Sequence, residues 1–447
     1  MHTQKKYRYP KSISVLGFLW NANSIRRNPI PFHQKYFKKL GDTFAVRVGI
    51  RRYILLTRDK DIAQHILQKG HKNYEKSKIQ TTYLSKYLGN GLLTSKGDYW
   101  LRQRRLIQPA FHKQKIAQLL DSMLQTIAAE IKEMPLKQPL DIHTYMNRLA
   151  FKVVATSLFD VSISDSELLH LQAIIERVQD FLVKEVRLPH KNWWFKITGQ
   201  VSKHLTLAQE SRDIIQAIIE ARKQSTKHHH DLLDMLLATR YEDTGEAMDM
   251  EQLIDEITIL FVAGHETTAN ALSFALFLLA KHPEIQQRLY EEAKEITSKP
   301  LEPVQQIKEF VYTKAIIEES MRMYPPAWIT DRECLEDDTI KDFHIRKGTF
   351  IGISFYELHR NPEYWKNPDQ FNPERFLLKD QYPTNAYYPF GAGPRMCIGM
   401  GFAMYEMVLA VSQLILKYSF KTTQDEVQLN PLVTLKPTEL LVTLTER

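Results

Sequence analysis

The sequence predicts a mainly α-helical fold with a small β-sheet region. Apolar residues recur at three- and four-residue intervals through most of the chain, the pattern of helices with one buried face, while apolar/polar alternation is confined to a few short stretches. The 447 residues contain no Pro-, Gly- or Ser-rich linker and no abrupt change of composition, so a single domain over residues 1–447 is expected.

Taken in order, residues 43–48 and 52–57 alternate around Gly49 and read as a hairpin. Residues 59–68 form a helix opened by an acidic cap, and helical periodicity continues through 111–134, 141–159, 164–183, 205–223 and 230–238. His228, His229 and His230 look like a metal tract, but they lie in a polar linker, 223–230, and read as surface histidines. A long helix spans 250–281 and ends at Lys281-His282-Pro283. Its apolar content invites a transmembrane reading, yet Asp255, Glu256, His265 and Glu266 interrupt it, and its longest uncharged run, 267–280, falls short of the roughly 20 residues a bilayer requires. It reads as a buried core helix. Residues 284–297 and 310–323 form further helices, and 328–332 and 349–354 read as strands.

A hydrophobic content of 43% with 25% charged residues describes an ordinary globular protein. Two cysteines, Cys334 and Cys397, give no disulfide framework, which fits a reducing compartment and a cytoplasmic location. Cys334 reads as a packed thiol. The net charge is +8, with cations read as scattered rather than gathered into one arm; that argues against nucleic acid and fits a patch that docks an acidic electron-transfer protein. Near the start, Lys5, Lys6 and Arg8 precede a weakly apolar run, 13–20, diluted by Ser14 and Gly17 and too short to cross a bilayer. No small-x-small cleavage site follows, so a surface segment without stable membrane insertion is expected.

Chemistry concentrates at Phe390-Gly391-Ala392-Gly393-Pro394-Arg395-Met396-Cys397-Ile398-Gly399. A lone cysteine is most often a small buried apolar residue. Here glycines permit tight turns and the approach of a flat ligand, and an apolar helix follows whose first amides would favour a thiolate. A second site is Ala263-Gly264-His265-Glu266-Thr267-Thr268 in the middle of the long helix. Glycine costs about 1 kcal/mol there relative to alanine, so this weak polar turn has a reason other than stability: small residues leave room beside the helix, and Glu266 and Thr267 supply an acid and a hydroxyl for relaying protons. His265 either lines a pocket or faces a neighbouring helix. Trp100 and Arg104, four apart, leave one helix face and can grip one anionic group; a core tryptophan beside a solvated arginine is the plainer alternative. Glu319 and Arg322 share a helical face, as an ordinary surface ion pair would.

The loop resembles the haem-binding signature Phe-x-x-Gly-x-Arg-x-Cys-x-Gly of the cytochrome P450 family at every fixed position, and the chain is identified as a member. The helix segment resembles the family's Ala-Gly-x-Asp/Glu-Thr motif. Trp100-x-x-x-Arg104, Glu319-x-x-Arg322 and Phe371-Asn372-Pro373-Glu374-Arg375-Phe376 follow the family's order. The resemblance implies the cytochrome P450 fold, a helical haem-binding core with a long central helix. It implies that Cys397 binds the iron of haem b as thiolate within a loop formed by Phe390, Gly393, Arg395 and Gly399. Trp100, Arg104, Arg332 and Arg395 would contact propionates, Ala263 and Gly264 would pass close to the ring, and Thr267 and Glu266 would deliver protons to dioxygen. Glu319, Arg322 and Arg375 would form a structural network. Ala327, Trp328 and Ile329 would approach substrate, with further walls from 77–93, 182–200 and 431–436; Trp193 and Trp194 mark either a mobile lid or ordinary packing.

The implied activity is monooxygenation of an apolar, fatty-acid-like or terpenoid C–H bond. With no flavin or iron–sulfur segment visible, electrons from NAD(P)H are expected through a separate ferredoxin or flavodoxin and its reductase, to a monomeric enzyme. Oxidative O-demethylation of a methyl ether is an alternative, and a non-catalytic haem-thiolate sensor or carrier is a reading of another class. Intact Glu266 and Thr267 argue against peroxide-driven or isomerase-type relatives.

Overall fold

A computed structural model describes residues 8–49, 52–159, 165–229, 231–378 and 382–447; Lys5, Lys6, Ser164 and His230 lie outside them. The chain falls into two units. One comprises residues up to Ser77, Glu318–Cys397 and Leu429–Lys436; the other comprises Lys78–Ile317, Ile398–Gln428 and Pro437–Arg447.

The first unit is organised by a six-stranded sheet. Thr43–Arg47 pairs antiparallel with Tyr53–Thr57, Thr43 opposite Thr57, and the turn at Gly49 is closed by Val48 N donating to Arg52 O at 3.0 Å. β-branched and aromatic residues supply the strand preference. Tyr53–Thr57 then pairs in parallel with Phe350–Ser354, which pairs antiparallel with Ile329–Cys334, and Tyr74–Glu75 closes that edge. Asp59 caps the following helix, Lys60–Gln64, by accepting from the amides of Asp61 and Ile62.

Within this unit Glu319 is fully buried and its carboxylate collects donors from three residues. Arg322 Nε reaches Oε2 at 2.7 Å and Arg322 Nη2 reaches Oε1 at 2.9 Å, while Asn372 N and Arg375 Nε donate to Oε1 at 2.9 and 3.3 Å. The remaining guanidinium donors go to carbonyls, Arg322 Nη1 to His359 O at 2.9 Å and Arg375 Nη2 to Asn367 O at 2.9 Å. A pair that looked like a surface i,i+3 contact is therefore the centre of a desolvated network.

The second unit is helical, with a small sheet in the order Tyr418–Lys421, Leu441–Glu446, Pro139–Asp141. Its core gathers apolar faces from Ile142–Phe159, Asp165–Arg187, Gln200–Gln224, Leu232–Ala238 and the central helix Met250–Lys281. Asp249 caps the central helix through Gln252 N at 2.8 Å, and Pro283 opens the next helix, Pro283–Thr297. The expected helix over 111–134 is instead two, Lys113–Ala117 and Leu120–Lys132. The bonds tighten to i−3 at Gln118 and Leu119, which breaks the axis without disturbing the apolar spacing. Met400–Lys417 is the one described helix long and apolar enough to cross a membrane, and 56% of it is buried within the protein, as for a core helix.

Replacing Glu319 by alanine is expected to cost about 3–5 kcal/mol, because two buried guanidiniums lose their carboxylate. Urea unfolding checks this, and a loss below about 1 kcal/mol would show that the network is dispensable.

Candidate active site

In the first unit the loop before Cys397 is set by two glycines in the left-handed region, Gly391 at φ 72° and Gly393 at φ 69°. A Cβ on Gly391 would meet open space, whereas one on Gly393 would stand 1.9 Å from the carbonyl oxygen of Leu67. Gly393 thus serves both conformation and close packing. Cys397 N donates to Phe390 O at 2.9 Å, closing the loop, and the thiol stands exposed. The other cysteine behaves oppositely: Cys334 is buried, and burial pushes its thiol up to about 11.

The same unit gathers three cations. Burial holds the Lys76 ammonium well below the usual lysine range, and repulsion from Arg395 and Arg332 adds to this against a weaker pull from Asp331. Arg332 is buried, its Nη1 donating to Asp331 O at 2.7 Å and Thr330 Oγ1 at 3.2 Å. A cluster of like charges in a partly desolvated place favours an anionic group among them. Lys76 was not among the residues read from the sequence. It sits in Tyr74-Glu75-Lys76-Ser77 with no motif around it, and only the pairing of Tyr74–Glu75 with Ile329–Cys334 brings it to Arg332.

In the second unit the central helix is buried from Glu256 to Ala280 except at Leu260, Ala263, Gly264 and Thr267. These positions, spaced 3, 4 and 7 apart, form one accessible stripe. Thr267 Oγ1 donates to Ala263 O at 2.8 Å, keeping the hydroxyl against the helix at that stripe. Gly264 also has a packing duty, since a Cβ there would lie 3.1 Å from Val154. Glu266 is turned away and buried, with Oε2 accepting from Gln179 Nε2 at 3.0 Å. His265 faces a neighbouring helix: its Nδ1 bonds Phe261 O at 2.6 Å and its ring meets Phe151 edge-on. Trp100 and Arg104 lie on the helix Gly97–Ile107, the former buried and the latter donating through Nε to Gln108 Oε1 at 3.3 Å.

Two carboxylates at the start of the central helix grip the chain just before that helix. Asn90 N donates to Asp255 Oδ2 at 2.6 Å and Leu92 N donates to Glu256 Oε2 at 2.9 Å. Gly89 is required for the grip, because a Cβ there would fall 2.0 Å from the Asp255 carboxylate. Burial pushes the Glu256 carboxyl up to about 8, helped by Asp255 and opposed by the Leu92 amide.

Of the three residues expected at the substrate, Ala327 and Ile329 are partly accessible but Trp328 is not. Its ring is buried with Ile30, Tyr356 and Leu435, and its Nε1 donates to Leu432 O at 3.1 Å, which makes it a packing residue. Trp193 and Trp194 lie exposed on a short helix, Asn192–Ile197. Among the described residues no group of three or more His, Cys, Asp or Glu could hold a metal ion; His228 is exposed and His229 partly so.

The sequence model of the cytochrome P450 family matches residues 8–444. The chain belongs to the cytochrome P450 family. Cyclooctat-9-en-7-ol 5-monooxygenase of Streptomyces melanosporofaciens is 30% identical over 92% of this P450 and 89% of its own length. Cyclooctatin synthase of the same organism is 30% identical over 92% and 89%. Cytokinin hydroxylase of Arabidopsis thaliana is 28% identical over 91% and 81%. This P450 is accordingly an oxygen-incorporating oxidoreductase of the monooxygenase class, using haem b and electrons that originate from NAD(P)H and arrive through a redox partner. The residues of the first unit fit such a group: an exposed thiol on a fixed loop and a cation cluster suited to carboxylates.

The Glu256 carboxyl generates a pH prediction. The unfolded chain ionises this group near 4.5 and the folded protein only near 8, so the folded state carries the extra proton between those values. Its stabilisation is complete below about pH 4.5 and is lost as pH rises through 8. Glu256→Gln keeps the acceptor for Leu92 N, so thermal unfolding of the variant is expected to decline less than the wild type between pH 5 and 8. Parallel declines would place the titration elsewhere.

Proposed function

We propose that this P450 hydroxylates an apolar terpenoid-like molecule at an unactivated C–H bond, drawing electrons from a separate ferredoxin or flavodoxin and its reductase, as a cytoplasmic monomer whose two units act as one haem domain. The observation that carries the reading is the central-helix stripe: one leucine, two small residues and one hydroxyl on an otherwise buried helix, with a buried carboxylic side chain at the adjacent position. Such a surface offers shape and one proton-relaying group, and no charge that would hold a polar substrate. The name of one Streptomyces relative, cyclooctat-9-en-7-ol 5-monooxygenase, denotes a hydrocarbon alcohol and supports the terpenoid-like choice over a fatty acid.

When bound, haem supplies the redox centre at which dioxygen is activated. Cys397 would hold the group as thiolate, Phe390 would pack beside the sulfur, and Gly391, Gly393 and Gly399 would keep the loop free of side chains that block its approach. Arg332, Arg395 and Lys76 would bind propionate charge, a role also proposed for Trp100 and Arg104. Thr267 Oγ1, bonded to Ala263 O at 2.8 Å, would offer its hydroxyl as a proton donor at the stripe. Glu266 replaces the proton that Thr267 gives up, Gln179 fixing its carboxyl in the meantime. Glu319, Arg322 and Arg375 hold the scaffold. Ala327 and Ile329 contribute to the substrate wall.

The test is a spin-state titration with cyclic terpene alcohols and medium- and long-chain fatty acids, followed by turnover of the best binder. Terpene alcohols are expected to shift the Soret band, and Thr267→Ala is expected to bind them as the wild type does while product per electron pair falls roughly a hundredfold. Binding of fatty acids alone would reassign the substrate, and an unchanged product yield would remove Thr267 from proton delivery.

A further inference from the structure

The expectation that the cations are scattered fails on a count by segment. Residues 1–41 hold nine lysines and arginines and no aspartate or glutamate, while the remainder holds 51 cations and 52 acids; the segment contributes +9 and everything else −1 to the net charge of +8.

Two helices of the first unit carry five of these nine cations beside exposed apolar side chains. The helix Val15–Arg27, capped by Ser14 through Gly17 N at 3.1 Å, has no fully buried residue. Phe18 and Ile25 turn inward onto a cluster containing Phe32, Phe37 and Phe44. Leu16, Leu19 and Trp20, at i, i+3 and i+4, form an outward face and are 79%, 59% and 90% exposed. Arg27, seven residues beyond Trp20, continues the same line. The helix Ile30–Leu40 buries Ile30, Phe32, His33 and Phe37 and leaves Lys35, Lys38 and Lys39 in solvent.

We propose that this surface docks on an anionic phospholipid bilayer, with Leu16, Leu19 and Trp20 at the boundary of headgroups and acyl chains and Arg26, Arg27, Lys38 and Lys39 on lipid phosphates. The two features together select the partner. Positive charge alone would suit any acidic protein, but a tryptophan and two leucines standing in water on a basic helix match the composition of helices that lie in the membrane interface. The run is too short to cross the bilayer, so attachment is peripheral and depends on both the apolar face and the charge.

The experiment is sedimentation of the full-length haem-loaded protein with vesicles of phosphatidylglycerol and phosphatidylcholine in equal parts, and with phosphatidylcholine alone. The wild type is expected to bind the anionic vesicles, to release in high salt, and to leave neutral vesicles unbound. The variants Leu16→Ser/Leu19→Ser/Trp20→Ser and Arg26→Gln/Arg27→Gln/Lys38→Gln/Lys39→Gln are each expected to lower the partition coefficient roughly a hundredfold or more. In the wild type, brominated phosphatidylglycerol is expected to quench tryptophan emission, and Trp20→Phe to remove most of that quenching; this single conservative change decides the matter if a multiple variant misfolds. Absence of wild-type binding, or quenching unchanged in Trp20→Phe, overturns the proposal. So does a charge variant that keeps its vesicle binding but loses turnover with an acidic ferredoxin, which would assign the surface to a protein partner.

Discussion

The carboxylate of Glu319 is the fixed point of the unit that carries Cys397. It accepts from Arg322, Arg375 and the amide of Asn372 in a site without solvent, where each donor is worth more and each unpaired charge costs more than at a surface. From it a sequence of hydrogen bonds runs to the cysteine. Arg322 donates to His359 O, and the ring Nε2 of His359 accepts from Tyr388 N at 2.9 Å. Tyr388 O accepts from Gly391 N, and Phe390 O accepts from Cys397 N. The path requires a neutral histidine, since a doubly protonated ring has no acceptor. Burial, reinforced by Arg322 and Arg360, holds His359 well below its ordinary range and so keeps that nitrogen free to accept. The ion network thus does two things for the loop: it anchors the preceding segment and keeps the intermediate ring in the right protonation state.

The central helix shows a different economy. Most of its length is committed to the core, and one stripe of Leu260, Ala263, Gly264 and Thr267 is not. Glycine weakens a helix by about 1 kcal/mol relative to alanine, and Gly264 recovers part of this by letting Val154 approach closely. Thr267 tolerates its position by bonding back to Ala263 O, which also places its hydroxyl on the stripe. At the helix start, Asp255 and Glu256 hold Asn90 and Leu92 by their amides, so the helix that carries the accessible stripe also fixes a segment expected to border the substrate.

Local patterns made much of this legible in the sequence. The helix over 250–281 was read with its observed bounds because its apolar content and the Lys281-His282-Pro283 that ends it act within the segment itself. Cys397 and Thr267 were singled out by their local motifs, whereas the spacing of Glu319 and Arg322 alone read as a surface ion pair and only the family resemblance marked them as a network. What was missed depends on long-range pairing. Lys76 joins Arg332 only through the sheet, and no feature of its neighbours marks it. Trp328 looked like a pocket wall because it follows a recognisable motif, yet Leu432, about a hundred residues on, takes its indole N–H and draws the ring into the core. The break at Gln118 and Leu119 is invisible to periodicity, since tightening to i−3 bonds leaves the apolar spacing intact. The concentration of charge in residues 1–41 was legible but lost in the whole-chain total.

The account stands or falls on the sulfur of Cys397. The most direct measurement is the absorption spectrum of the reduced, carbon-monoxide-treated protein for the wild type and for Cys397→His, with Cys334→Ser as a control. A strongly red-shifted Soret band in the wild type and in Cys334→Ser, replaced in Cys397→His by the band of a nitrogen-ligated haem, is the result expected. A wild type that binds no haem, or whose band is unchanged when Cys397 is replaced, would contradict it.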